Sequence, residues 1–108
     1  MTMTPEHRRI DAELQIDDIR GTEEERATFV VWCVRGPVRL GARFHRIRDI
    51  AVAIDLELTE ILFHGHPVDE LDPSHTALVT LQGAGTHHLA SGEKTHDWKI
   101  IQGANPLP

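Results

Sequence analysis

Glycine or proline interrupts this chain at Gly21, Gly36-Pro37, Gly41, Gly65, Pro67, Pro73, Gly83, Gly85, Gly92, Gly103 and Pro106. Most of the pieces between are strand-sized, and that spacing restricts the fold to one of short strands and turns. Residues 28–34 read Thr-Phe-Val-Val-Trp-Cys-Val, β-branched and aromatic, too short for a stable helix and apolar on both parities. They are expected as a core strand covered on both sides, with Trp32 filling the interior. Residues 38–45 alternate, with Val38, Leu40, Ala42 and Phe44 on one face and Arg39, Arg43 and His45 on the other, Arg35 standing just before them. An outward arginine stripe follows. Residues 77–81, ended by Gln82-Gly83, and residues 98–102, beginning at Trp98, read as two further strands.

Residues 46–62 are harder to read. The apolar positions 47, 50, 51, 54, 58, 61 and 62 fit helical spacing with no glycine or proline among them. Against that, Leu56 and Leu58 alternate with Asp55 and Glu57, and the neighbouring pieces are strands and turns. Periodicity leaves both forms open. The context favours a strand, and with it an all-β protein forming a small antiparallel closed barrel.

At 108 residues, 40% of them hydrophobic, the chain suits one small domain with one modest core. The expected layout is a flexible N-terminal extension over 1–12, the barrel over 13–103 and a disordered tail over 104–108. Cys33 is the only cysteine, which excludes an internal disulfide and a zinc site made of cysteines alone, and fits a reducing cytoplasm. No stretch approaches the roughly 20 apolar residues of a membrane helix. The first ten residues, with Glu6, His7, Arg8 and Arg9, lack a signal-peptide apolar core. A cytoplasmic chain with no membrane partner is expected.

The net charge of −6 is uneven: residues 1–25 carry −5, residues 26–48 carry +6 from six arginines and no acid, and residues 49–108 carry −7. A net-acidic chain is repelled by duplex polyphosphate. The basic island can still meet one phosphate strand or an acidic partner, through Arg35, Arg39 and Arg43.

The order of these pieces, from about Glu13 to Gly103, resembles the second-domain β-barrel of the translation GTPases, elongation factor Tu among them. Leu14-Gln15-Ile16-Asp17-Asp18-Ile19 is similar to that family's opening strand. Arg35-Gly36-Pro37-Val38-Arg39-Leu40-Gly41 is similar to its hairpin, Glu60-Ile61-Leu62-Phe63 to the end of its middle strand, and residues 77–83 to its late strand with a terminal glycine. The chain departs from the family at Ala42 and at Ser74-His75, where acids or a glycine-acid pair are usual. Since in elongation factor Tu this barrel holds the aminoacyl end of transfer RNA, the resemblance implies a non-catalytic module contacting RNA, such as a transfer-RNA acceptor end, or a translation-related protein. Asp17 and Asp18 match the family's acidic pair and Glu60 its middle acid, whereas its arginine falls on Phe63 and its asparagine on Thr76. No glycine-rich phosphate loop with Lys-Ser or Lys-Thr occurs, so GTP binding and a GTPase domain are not expected of this chain, nor is any cofactor.

Histidine supplies the alternative. His64-Gly65-His66-Pro67-Val68-Asp69-Glu70 places two imidazoles two residues apart and a carboxylate four residues on, similar to the ligand core of a cupin first motif. A small metal-binding barrel enzyme would use His64, His66 and Glu70, with His75, His87, His88 or His96 as a further ligand. Cys33, inside an apolar strand, is expected as core filler. Ser74-His75 and Ser91 lack a nucleophile-elbow context. Trp98 beside Lys99 is a candidate for stacking on a base or partner ring.

Overall fold

The structure, a computed structural model, describes residues 9–90 and 99–107. Trp98, Ser91, Gly92 and His96 lie outside the described residues, as do residues 1–8 of the expected extension and Pro108. β1 (Ala12–Glu23) and β2 (Arg26–Arg35) make a long hairpin. β3 (Val38–Arg39), β4 (Arg43–Ile47) and β5 (Ile50–Phe63) follow, then β6 (His66–Pro67), β7 (Glu70–Leu71) and β8 (Thr76–Ala84). A short helix, α1 (Thr86–Ala90), and β9 (Lys99–Ala104) complete the described elements. Antiparallel pairing runs β1–β2–β8–β5–β4–β9 and returns to β1, so six strands close into a barrel. β3 pairs with β7 in a separate ribbon, and β6 pairs with the end of β5. No described helix is long and apolar enough to cross a membrane.

Alternation fills the interior. Ala27, Phe29, Val31 and Cys33 of β2 point inward, as do Ala77, Val79 and Leu81 of β8, with Phe44, Ile47, Leu56, Leu58 and Ile101 opposite. Val38 and Leu71 of the β3–β7 ribbon cover the core at the end where β2 finishes, and Leu89 of α1 does so where β8 finishes. The segment with helical spacing is a strand. A bulge in β5 between Leu58 and Glu60 changes the inward phase, so the core residues are Ile54, Leu56 and Leu58 and then Ile61, and this three-residue step imitates a helical repeat.

Three local expectations are corrected. Trp32 does not fill the barrel: inward parity in β2 is set by Phe29, Val31 and Cys33, so Trp32 falls on the outer face and is 38% exposed. That strand is consequently covered on one side only, with Thr28, Val30 and Val34 half-buried outside. Nor do residues 38–45 form one strand, since Gly41, at a φ of 91°, separates β3 from β4 while its N–H donates to the Leu58 carbonyl.

The first and last described residues are held to the barrel. Ala12 is fully buried at the start of β1, and the Asp11 N–H donates to the Gly103 carbonyl at 3.0 Å. Residues 105–107, expected in the disordered tail, follow β9 in an arrangement fixed by Asn105. Its N–H donates to Asp11 Oδ1, its Nδ2 donates to the Pro37 carbonyl, and its Oδ1 accepts from the Arg39 N–H.

Candidate functional site

Two bulges shape the outer wall made by β1, β2, β8 and β5. In β1 the register steps from Ile16 opposite Val31 to Asp18 opposite Val30, so Asp17 is an extra residue and two consecutive acids are both exposed. In β5 the register steps from Leu58 opposite Leu81 to Glu60 opposite Thr80, and Thr59 and Glu60 are both exposed in the same way. Between the bulges, one cross-strand row runs Asp18, Val30, Leu78, Leu62, and the next outward row runs Gly21, Thr28, Thr80, Glu60. Val30, Leu78, Leu62, Thr28 and Thr80 are half-buried. With strands ~4.8 Å apart, the acids of β1 and β5 stand roughly 15 Å from each other across this apolar and hydroxyl-bearing strip.

The carboxylates here are engaged only by near neighbours. Asp17 accepts from Gln15 Nε2 at 2.8 Å, Asp18 accepts from the Ile19 N–H at 2.9 Å, and Arg20 Nε lies 3.5 Å from Asp18 Oδ2. Glu60 accepts from Thr80 Oγ1 at 3.4 Å. An ionised carboxylate only accepts, so the wall offers acceptors at both edges to hydroxyl, amine or ammonium donors, with an apolar bed between.

The structure does not gather Arg35, Arg39 and Arg43 into one stripe. They lie on β2, β3 and β4, and each is tied to another part of the chain. Arg35 pairs with the buried Glu13 at 3.4 Å and donates to the Ile10 carbonyl at 3.1 Å. Arg39 donates to the Pro106 carbonyl at 3.1 Å, and Arg43 donates to Asp55 at 3.0 Å with Glu57 at 4.0 Å. Two breaks are the cause: Gly36-Pro37 ends β2 before Arg39, and the turn at Gly41 separates Arg39 on β3 from Arg43 on β4. β4 lies three strands from β2 in either direction around the ring.

The candidate metal ligands are dispersed among the described residues. Among the described residues no three or more His, Cys, Asp or Glu side chains come together to hold a metal ion. His64, at a φ of 54°, lies edge-on to Phe63 with ring centroids 4.2 Å apart, while His75 stacks on the same ring at 5.2 Å. His66 is exposed on β6, and Glu70 is on β7 opposite Arg39. His87 and His88 lie against each other on α1.

Cys33 is wholly buried, and its thiol donates to the Leu71 carbonyl at 3.6 Å. Burial, reinforced by the Asp72 carboxylate, pushes the thiol up to about 11, with the Val38 N–H acting the other way.

Sequence reasoning found the acids of the wall and missed its bed. Thr28, Val30, Leu78 and Thr80 carry no motif. The one signal is for Thr28 and Val30, in a stretch apolar on both parities that reads as a strand buried on both sides. Compared with protein families, with curated proteins and with solved structures, the chain matches none.

Proposed function

We propose that this chain is a non-catalytic binding module of the translation-factor second-domain type, and that the wall between the two bulges receives the unpaired end of an RNA such as a transfer-RNA acceptor. The observation that supports this reading most is the pair of bulges, which turn Asp17-Asp18 and Glu60 outward on either side of Val30 and Leu78. Unpaired nucleotides are recognised by packing of the base on side chains and by hydrogen bonds to base edges and ribose hydroxyls. Val30 and Leu78 provide the packing surface, Thr28 and Thr80 the hydroxyls, and the three carboxylates the acceptors. An acidic wall also favours an RNA end that carries an amino group over a bare phosphate.

Binding to this wall leaves the arginines out, so affinity should depend weakly on salt. Three phosphate contacts would give a slope of log K against log salt of about −2 for a single strand, and the wall alone gives a slope near zero. The direct test is anisotropy of a labelled single-stranded RNA ending in CCA. Asp17→Asn, Asp18→Asn and Glu60→Gln together should weaken binding at least about tenfold. Unchanged affinity in that variant would refute the assignment of the wall. Failure of the parent chain to bind any RNA end, with capture of a translation-related protein instead, would refute the choice of RNA.

A further inference from the structure

The other side of the barrel carries a groove of about 850 Å³, within the range of small-molecule sites, where β4, β5 and β9 meet both terminal segments. Ala53 and Ile54 of β5, Ala104 of β9, Gly41 and the Pro106–Leu107 segment supply its apolar lining. Arg9 and Arg43 supply two guanidinium groups, with Asp55 the one acid of the lining and Asp11, just outside it, paired with Arg9 Nε. Small residues make the hollow: Ala53 and Ala104 stand where larger side chains would close it, and a Cβ at Gly41 would lie against Pro106 Cγ at 3.2 Å.

Its far wall is built in. Asn105 is fixed by Asp11, Pro37 and Arg39, and its carbonyl accepts from Arg9 Nη2 at 2.8 Å, so Pro106 and Leu107 are set in place by bonds between residues up to 96 apart. Leu107 is nonetheless 74% exposed, an apolar side chain beside a hollow that nothing among the described residues fills. A guanidinium carries five N–H donors in a planar fork that matches carboxylate and phosphate oxygens. Arg43 engages Asp55 through Nη1 with Glu57 at 4.0 Å, and Arg9 pairs with Asp11; each of these pairs is solvent-exposed on both sides, a weak hold that an incoming anion can share or replace.

We infer that this groove binds a small organic anion, a carboxylate or phosphate on an apolar body, with Arg43 and Arg9 taking the charge and Ala53, Pro106 and Leu107 the body. It is separate from the wall proposed for RNA and stands or falls without it. The test is an amide correlation spectrum of the labelled full chain titrated with 4-phenylbutyrate, phenyl phosphate and the uncharged 4-phenylbutanamide. The acid or the phosphate should give saturable shifts at Arg43, Ala53, Ala104 and Leu107, with apparent affinity at least about tenfold above that of the amide, equivalent to 1.4 kcal/mol. Whichever of the two binds tighter identifies the anionic group.

Arg43→Gln should remove that preference. Ala53→Leu, which keeps both arginines and fills the hollow, should weaken both acid and amide, and the remaining cross-peaks report that each variant is folded. Equal binding of acid and amide, shifts centred elsewhere, or no saturation with any of the three probes would overturn the inference.

Discussion

The two sides of this barrel use charge in opposite ways. Around the terminal segments, guanidiniums reach far along the sequence: Arg9 to Asn105 across 96 residues, Arg39 to Pro106 across 67 and Arg35, at the end of β2, to Ile10 across 25. On the wall of β1, β2, β8 and β5, Asp17 is held by Gln15 two residues away, Asp18 by the next backbone N–H and by Arg20 two residues on, and Glu60 by Thr80 on the adjoining strand. Long-range ties fasten the termini to the barrel. Local ties orient a carboxylate without committing it to the fold. The difference teaches that a charge visible in sequence can be a clasp or a contact, and that what it grips, a terminal segment or a neighbour on the same wall, separates the two.

This contrast can be broken most forcefully at the seam beside the chain ends. A Cβ at Gly103 would collide with the Arg43 carbonyl, whereas one at Gly21 on the opposite wall would meet nothing within 4 Å. Gly103→Ala should therefore cost about 3 kcal/mol or more, and Gly21→Ala should change stability by less than about 0.5 kcal/mol, both read from urea melts. Equal effects would mean that the seam is looser than described.

A pH series comes next in size. Cys33 is neutral in both states below its ordinary value of 9.0, so it confers no pH dependence there. Between pH 9.0 and about 11 the unfolded thiol ionises first, the unfolded state binds fewer protons, and stability falls as pH rises, by about 2–3 kcal/mol in all. The chain has no tyrosine and only two lysines to overlap that window. In Cys33→Ala the decline should be absent.

Asn105→Ala, which removes two long-range hydrogen bonds of its side chain, should cost about 1–2 kcal/mol and loosen residues 105–107 in hydrogen exchange. Least of all, the triple replacement of Asp17, Asp18 and Glu60 by their amides should leave the melting curve within about 0.5 kcal/mol of the parent while weakening RNA binding at least about tenfold. A large loss of stability in that variant would make the acids structural and end the contrast.

Much of the fold was legible because turns and alternation are local properties. Val38, Ala42 and Phe44 do face the core, and residues 77–81 do form a strand. What escaped depends on partners distant in sequence. The bulge at Thr59, which disguised β5 as a helix, is defined by register with β8, and the outward turn of Trp32 by the parity that Phe29 and Val31 impose. Asp17, Asp18 and Glu60 were picked out by resemblance, but that they flank one strip follows from two bulges in strands more than 30 residues apart. The arginine stripe was lost at two local breaks, Gly36-Pro37 between Arg35 and Arg39 and the left-handed turn at Gly41 between Arg39 and Arg43. The hold of Asn105 on the tail left no trace in a segment that reads as Asn-Pro-Leu-Pro.

The most direct test of this account is an amide correlation spectrum of labelled protein titrated with a short single-stranded RNA ending in CCA, at low and then physiological salt. The account predicts saturable shifts at Asp18, Val30, Leu78, Thr80 and Glu60, little changed by salt, with Arg39, Arg43 and Leu107 unmoved. Shifts centred on Arg39 and Arg43 that vanish at physiological salt, or no shifts at either salt, would contradict it.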